Sequence, residues 1–206
     1  MPHGSGPQES SGYRLSFTTG GLFLEAGAAL AKLYAELGDW AAVRIAAVEQ
    51  RLTHFTTQSS EHRTIRELTT RLAHLDNDEL AMLQDGSNAE RSALMWLALC
   101  RTYPIIREFT TEVLNDRLDG FKPDLRYEHF DAFLATKAQW NDALSELSES
   151  THKKLRQVLF RYMREAGILS EDDRILSYLM PTAVRLHLLE KGPEELCFFP
   201  GLGGRN

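Results

Sequence analysis

Residues 151–166 read THKKLRQVLFRYMREA, and their apolar positions recur every three or four residues. At 100° per residue these positions fall within an arc of about 140°, which is typical of an amphipathic helix packed against a core. The apolar positions are Leu155, Val158, Leu159, Tyr162, Met163 and Ala166. Gly167 follows directly and is a common helix-ending residue. The stretch therefore predicts one long α-helix with a buried side.

The other side of this predicted helix is basic. The stretch carries five Lys or Arg residues against the single Glu165, a local balance of +4, whereas the whole chain of 206 residues has a net charge of -6. Lysine and arginine contact phosphates, and a glutamine can hydrogen-bond an adenine edge. The spacing also puts Phe160 on this solvated side. The candidate DNA-binding residues are Lys153, Lys154, Arg156, Gln157, Arg161 and Arg164. Two other interpretations remain open, namely a surface that docks on an acidic partner protein and a solvated surface without a partner.

The segments around the basic helix have the order of a helix-turn-helix module. Residues 127–178 predict two helices, a tight turn, the basic helix and then a short hairpin around an acidic loop, which is the order of a winged helix-turn-helix. The preceding segment FKPDL, residues 121–125, contains a proline and follows Asp119 and Gly120. We take it as a boundary between two subdomains.

Helical spacing also dominates the chain before this boundary. Gly38 predicts the end of a first helix, Asp39 the cap of a second, and Ser59 or Ser60 the start of a third. Ser87 and Glu90 form an S-x-x-E capping box at the head of a long apolar helix. Pro104 predicts either a kink in that helix or the start of a new one.

The sequence thus predicts an all-α, mainly helical protein with at most a short β-hairpin. We divide it into a flexible arm at 1–12, a helical N-terminal subdomain at 13–120, a helix-turn-helix-like C-terminal subdomain at 121–192 and a tail at 193–206. The arm is rich in Gly, Ser and Pro and has no helical period.

A second basic strip lies in the third predicted helix. Arg63, Arg66 and Arg71 are expected to be available to solvent, and they are candidate auxiliary DNA-binding residues. Glu61 and Glu67 belong to the same helix. We therefore expect a solvated face of mixed charge here, with auxiliary contact to nucleic acid as the alternative.

Signatures of catalysis, metal binding and membrane insertion are missing from the sequence. Ser150 and Lys153 match S-x-x-K without its companion motifs, no histidines pair at the i and i+4 spacing of a helical zinc site, and neither cysteine has a CxxC partner. The longest apolar run has eight residues, from Ala93 to Cys100, where a bilayer span needs about 20. We expect no enzyme activity, cofactor, metal or membrane association, and a cytoplasmic location.

Five features between Tyr13 and Leu189 form a pattern that extends over most of the chain. They are YRLSFTTGGLFLEAGAALAKLY from Tyr13, the pair Asp39 and Trp40, SSEHRTIRELTTRLAHL from Ser59, LALCRTYPIIREFTTEVL from Leu97 and THKKLRQVLFRYMREAGIL from Thr151. Together they resemble the BrxA family of BREX, the bacteriophage exclusion systems. The resemblance implies a role in discriminating or excluding phage DNA beside a methyltransferase, a phosphatase-like protein and a large ATPase. It implies no active-site residue. Together with the basic helix, it predicts a non-enzymatic protein that contacts double-stranded DNA, or alternatively an adaptor that docks on another BREX protein without binding DNA.

Overall fold

The computed structural model describes residues 13, 15–17, 20–55 and 57–203, and within these ranges the protein is built from helices. The α-helices are α1 Leu24–Leu37, α2 Trp40–Glu49, α3 Gln58–Leu72, α4 Asn77–Asp85, α5 Asn88–Thr102, α6 Pro104–Phe109, α7 Asn115–Asp119, α8 Tyr127–Ala138, α9 Asp142–Ser145, α10 Glu149–Glu165 and α11 Thr182–Lys191. A π-helical turn, Thr110–Leu114, joins α6 to α7, and a 3-10 helix, Pro193–Phe198, follows α11. The predicted all-α class is confirmed. The predicted flexible arm at 1–12 lies outside the described residues.

Short-range signals fix most helix ends. The Asp39 side chain accepts the Ala42 N–H at 2.7 Å at the head of α2, and Gly38 ends α1 with a φ of 68°. Ser87 and Glu90 form both hydrogen bonds of the predicted capping box. Each of these bonds satisfies a backbone group that the end of a helix leaves unpaired.

Two helices begin earlier than the sequence predicted. Thr57 caps α3 by accepting the Ser60 N–H, so the predicted start at Ser59 or Ser60 is wrong. Ser148 caps α10 in the same way, which puts Ser150 and Thr151 inside the first turn. Threonine and serine both serve as helix caps, so Thr57 and Ser148 can start these helices before the predicted residues.

Pro104 starts a new helix rather than kinking α5. Tyr103 takes an extended backbone conformation, with φ −123° and ψ 95°, between α5 and α6. This follows from proline, which disfavours the helical region for the residue before it and fits the first turn of the next helix.

α5 lies at the centre of the hydrophobic core and contacts α1, α3, α4 and α11. Residues 93–100 of this helix are all buried, and the Trp96 Nε1–H donates to the Phe198 carbonyl at 2.7 Å. The core joins residues from both sides of the predicted boundary and also Phe199 from the predicted tail. The division into subdomains stays a prediction. In the described part of the chain, no helix has both the length and the apolarity that a bilayer crossing needs.

The winged-helix module is not confirmed. α9 has only four residues, and Trp140 before it is exposed. The expected hairpin appears as an isolated bridge between Leu169 and Ile175, with another between Asp124 and Arg174, and the described residues form no strand. The helix-turn-helix assignment of α8 to α10 stays a prediction.

Candidate nucleic-acid interface

The inner side of α10 is buried as its spacing predicted. The apolar positions from Leu155 to Ala166 all pack into the core. Phe160 is buried as well, so the expectation that it lies on the solvated side is wrong. Its ring meets Tyr127 of α8 edge to face, with 4.7 Å between the centroids. Because two helices share this aromatic contact, α10 presents a narrower solvated surface than its sequence suggests.

Four of the six candidate DNA-binding residues lie on an exposed strip of α10 that we call the outer ridge: Lys153, Lys154, Gln157 and Arg161. Lys153 and Arg161 keep 57% and 60% of their side-chain surface exposed, although each pairs with a glutamate four residues away. The distances are 2.6 Å from Lys153 Nζ to Glu149 Oε1 and 2.7 Å from Arg161 Nε to Glu165 Oε1. Lys153 thereby lowers the pKa of the Glu149 carboxyl. Exposed pairs of this kind contribute little to stability, so they exchange readily for other anions.

Lys154 is the least engaged cation of the outer ridge. Within the described ranges it has no carboxylate within ion-pair distance, and its side chain is exposed. It lies beside Lys153 and on the same side of the helix as Gln157. The outer ridge therefore offers three cations and one amide along one side of a 17-residue helix.

The other two candidates, Arg156 and Arg164, are held by carboxylates from outside α10. Arg156 pairs with Asp131 of α8, and Arg164 pairs with Asp173 in the turn after the helix. Their side chains are only 18% and 26% exposed. The Arg156 guanidinium also lies 4.4 Å from the centre of the Tyr127 ring, within cation–π range. Both arginines therefore fasten α10 to its neighbours.

Arg71 is not on the surface, and its assignment as a solvent-available auxiliary residue is wrong. Its fully buried guanidinium donates to Glu67 Oε1 at 2.9 Å, to the Gly21 carbonyl at 3.1 Å and to the Tyr162 hydroxyl at 2.6 Å. Burial works to lower the pKa of Arg71, but its interactions with Tyr162 and Glu67 outweigh burial and raise it. Burial raises the pKa of Tyr162 to about 12. Arg71 therefore joins α3 to α10 and to the segment before α1.

The two glutamates of α3 also turn inward. Glu61 accepts the backbone N–H groups of Thr53 and Phe55, each at 2.9 Å, and these bonds lower its pKa although burial works to raise it. Glu67 accepts from Arg71 and from the Tyr103 hydroxyl. The prediction of a solvated face of mixed charge is therefore wrong, because both carboxylates make their contacts in the interior.

Arg63 and Arg66 are consequently exposed without a carboxylate within ion-pair distance in the part of the chain that the structure describes. They border a groove of about 700 Å³ between α2 and α3. We call it the arginine groove; it is lined by Arg44, Ile45, Val48, Glu49, Gln58, Ser59, His62, Arg63, Ile65 and Arg66. Sequence reasoning had not included Arg44, which α2 places across from α3.

One cluster has the composition of a metal site but serves the fold. Ligand atoms of Asp76, Asp78 and His187 lie within 4.8 Å of one another. Asp76 caps α4 by accepting the Glu79 N–H at 2.8 Å, and His187 Nε2 lies 3.1 Å from Asp76 Oδ2. Asp78 lies 3.6 Å from Lys191 Nζ. Each group thus has a protein partner, and the cluster supports no metal assignment.

Comparison with known families identifies the chain's relatives. The sequence profile of the BrxA family matches residues 11–192. The chain belongs to the BrxA family. It is 28% identical over 130 residues to the BREX protein BrxA of Escherichia coli O9:H4 (strain HS), and 24% identical over 127 residues to the BREX protein BrxA of Bacillus cereus (strain H3081.97). These matches cover 61% and 62% of this chain, and 61% and 64% of the two relatives, so slightly less than two thirds of each relative is matched.

Both of these relatives are named as BREX proteins, which links the BrxA family to BREX. A crystal structure of an uncharacterized protein from Magnetospirillum magneticum has the same fold. It superposes with a TM-score of 0.76 at 21% identity and covers 91% of this chain and 98% of its own.

Proposed function

We propose that this BrxA-family chain is a non-enzymatic protein that binds double-stranded DNA through the outer ridge of α10. The observation that supports this function is the exposure of Lys153, Lys154, Gln157 and Arg161 along one side of a helix whose other side is buried. An α-helix fits the major groove of duplex DNA, where cations meet phosphates and a glutamine can bind an adenine edge. The proposed contact needs no cofactor or metal.

Arg156 and Arg164 act in this proposal as positioning residues rather than DNA contacts. Their ion pairs with Asp131 and Asp173 fix the rotation of α10 about its axis. Removing them from these partners to reach a phosphate would take the arginine from two partly buried carboxylates, which costs more than breaking an exposed pair. The outer ridge is therefore presented in one orientation before DNA arrives.

The number of cations that can contact phosphates determines how strongly the affinity for DNA depends on salt concentration. The logarithm of affinity falls with the logarithm of salt concentration at a slope of about −0.9 per phosphate neutralised. Three cations on the outer ridge predict a slope near −2.7, whereas all five cations of α10 would give about −4.5. The difference is large enough to separate the two sets by titration.

The test is a fluorescence-anisotropy titration of a labelled duplex of about 20 base pairs, long enough for two turns of DNA, at four salt concentrations. We expect Lys154→Glu and Arg161→Glu each to weaken binding and to reduce the slope by about 1. The matched control is Lys32→Glu, because Lys32 is also an exposed helical lysine with no carboxylate partner in the described residues. Equal affinity of the Lys154→Glu, Arg161→Glu and Lys32→Glu variants, all with unchanged melting temperatures, would refute the proposed surface.

The second candidate function is docking on another BREX protein, such as the methyltransferase, the phosphatase-like protein or the ATPase, without DNA binding. The observation that favours it is the arginine groove, whose cations have no carboxylate partner in the described structure. In that case the isolated chain would not bind the duplex at any salt concentration used.

A further inference from the structure

The arginine groove combines unpaired cations with exposed apolar surface. Arg63 and Arg66 of α3 lie on one side, and Arg44 of α2 lies on the other. Glu49 is the one carboxylate among the lining residues of the described groove, so its positive charge is not balanced locally. A concave surface with an excess of one sign of charge concentrates the potential that it offers to a partner of opposite sign.

The floor and one wall of the groove are aliphatic. Ile45 keeps 63% of its surface exposed, Val48 is half-buried, and Ile65 lies at the base with almost no exposure. An isoleucine this exposed beside a groove is a candidate contact for a partner, because covering it removes apolar surface from water. The phosphate backbone of DNA has no apolar surface with which to cover it.

We propose that the arginine groove binds an acidic amphipathic helix of a partner protein. In this mode the apolar stripe of a helix lies in a hydrophobic groove, with anchors spaced three or four residues apart. The stripe would pack on Ile45 and Val48, above the buried Ile65, and flanking glutamates or aspartates would pair with the three arginines. Charge complementarity selects an acidic helix, and the aliphatic floor selects an amphipathic one.

This inference goes beyond DNA binding, because it concerns different helices, and it rests on the second candidate function, for which it names the class of partner. The groove is formed by α2 and α3, whereas the outer ridge belongs to α10. The two surfaces can therefore be altered separately, and the failure of one proposal is distinguishable from the failure of the other.

The probe is a fluorescein-labelled synthetic peptide of about 16 residues, close to four and a half helical turns. It carries leucine at the i, i+3 or i+4, and i+7 positions and glutamate on both flanks of that stripe. A scrambled peptide of the same composition lacks the helical period and serves as the ligand control. Binding of each peptide to the full chain is measured by fluorescence anisotropy at low salt, beside the duplex used for the outer ridge.

Variants of the groove test separately how much its charged and its apolar side chains contribute to peptide binding. We expect the double variant Arg63→Glu/Arg66→Glu to weaken binding of the amphipathic peptide at least about tenfold, and Ile45→Ser to weaken it about three- to tenfold. The matched controls are Arg185→Glu and Leu186→Ser on α11. Arg185 is exposed with no carboxylate partner in the described residues, and Leu186 is 62% exposed, close to the value for Ile45. Both controls should bind the peptide as the unmodified chain does.

The outcomes separate the possible occupants. Binding of the amphipathic peptide that is lost in the groove variants, with DNA affinity unchanged within about twofold, supports the proposal. Equal binding of the scrambled peptide, or no effect of the groove variants, overturns it. If the Arg63→Glu/Arg66→Glu variant loses DNA binding and retains peptide binding, the groove belongs to the DNA surface and the proposed occupant is wrong.

Discussion

Replacing Arg71 with methionine tests whether this residue holds the interior together. The side chain is fully buried and donates hydrogen bonds to a carboxylate, a backbone carbonyl and a tyrosine hydroxyl on three separate segments. Methionine is a flexible apolar side chain that fills the space of the arginine's aliphatic stem, so the substitution removes the charge and the donors and leaves a gap only where the guanidinium lay. It leaves the buried Glu67 with the Tyr103 hydroxyl but without its cation.

The expected loss of stability is large. Removing one partner of a buried ion pair costs about 3–5 kcal/mol, because the other charge stays in the interior. For a chain of this length each kcal/mol lowers the melting temperature by about 2–4 °C, so the Arg71→Met variant should melt about 10 °C below the unmodified chain. A surface arginine on the same helix gives the comparison. Arg66→Met should change the free energy of unfolding by less than about 0.5 kcal/mol.

The assay is thermal unfolding followed by circular dichroism at 222 nm, the wavelength of the helical signal, with a second variant that carries Glu67→Gln in addition. Glutamine still accepts the Tyr103 hydroxyl and removes the unpaired charge, so the double variant should melt above Arg71→Met alone. A loss below about 1 kcal/mol in Arg71→Met, or a double variant that melts lower than the single one, would refute this reasoning. At temperatures where Arg71→Met is folded, we expect it to bind DNA as the unmodified chain does.

Two further predictions concern carboxylates that hold backbone groups. Glu61→Ala leaves the N–H groups of Thr53 and Phe55 without their acceptor, and we expect a loss of about 1–3 kcal/mol, measured by thermal unfolding; an unchanged melting temperature would contradict it. The pKa of Asp76 is below its ordinary value, because the Glu79 backbone N–H and a nearby imidazole outweigh the effect of burial. A carboxyl with a lowered pKa in the folded state stabilises the fold above its unfolded-state pKa and loses that contribution as pH falls through the folded value. Asp76→Asn should therefore melt below the unmodified chain at pH 7, with a difference that begins to shrink near pH 3.8, the ordinary value for this carboxyl, and is lost as the pH falls through the lower folded-state pKa; a difference independent of pH would contradict it.

Local signals were enough to predict the helices and several of their ends. The buried side of α10 follows from the 3.6-residue period, because a helix with one apolar stripe packs with that stripe against the core. Asp39 and Ser87 act as caps because their short side chains reach the first free N–H groups of the following helix. These interactions span three or four residues, so they are visible in the sequence itself.

Interactions between distant segments were not predictable in this way. Asp131 precedes Arg156 by 25 positions and lies on another helix, and nothing in the pattern of either helix signals that they pair. The same holds for Arg71, which contacts Tyr162 across 91 positions. A charged residue looks the same in the sequence whether its side chain faces water or a partner in the interior. The hydrophobic period therefore does not show which charged side chains are buried.

The net charge of a helix in the sequence is therefore a poor guide to the charge of its exposed surface. α10 appears strongly basic, but each of its arginines is paired with a carboxylate, and so is Lys153. Among the lysines and arginines of α10, Lys154 alone has no such partner in the described structure. α3 appears mixed, yet its two glutamates are buried and its outward arginines face the single carboxylate of the arginine groove. Ion pairs on α10 weaken its attraction for DNA, and inward glutamates strengthen the attraction of α3 for an acidic partner. For this reason the two surfaces need separate probes, and reversing charge on one should leave the ligand of the other in place.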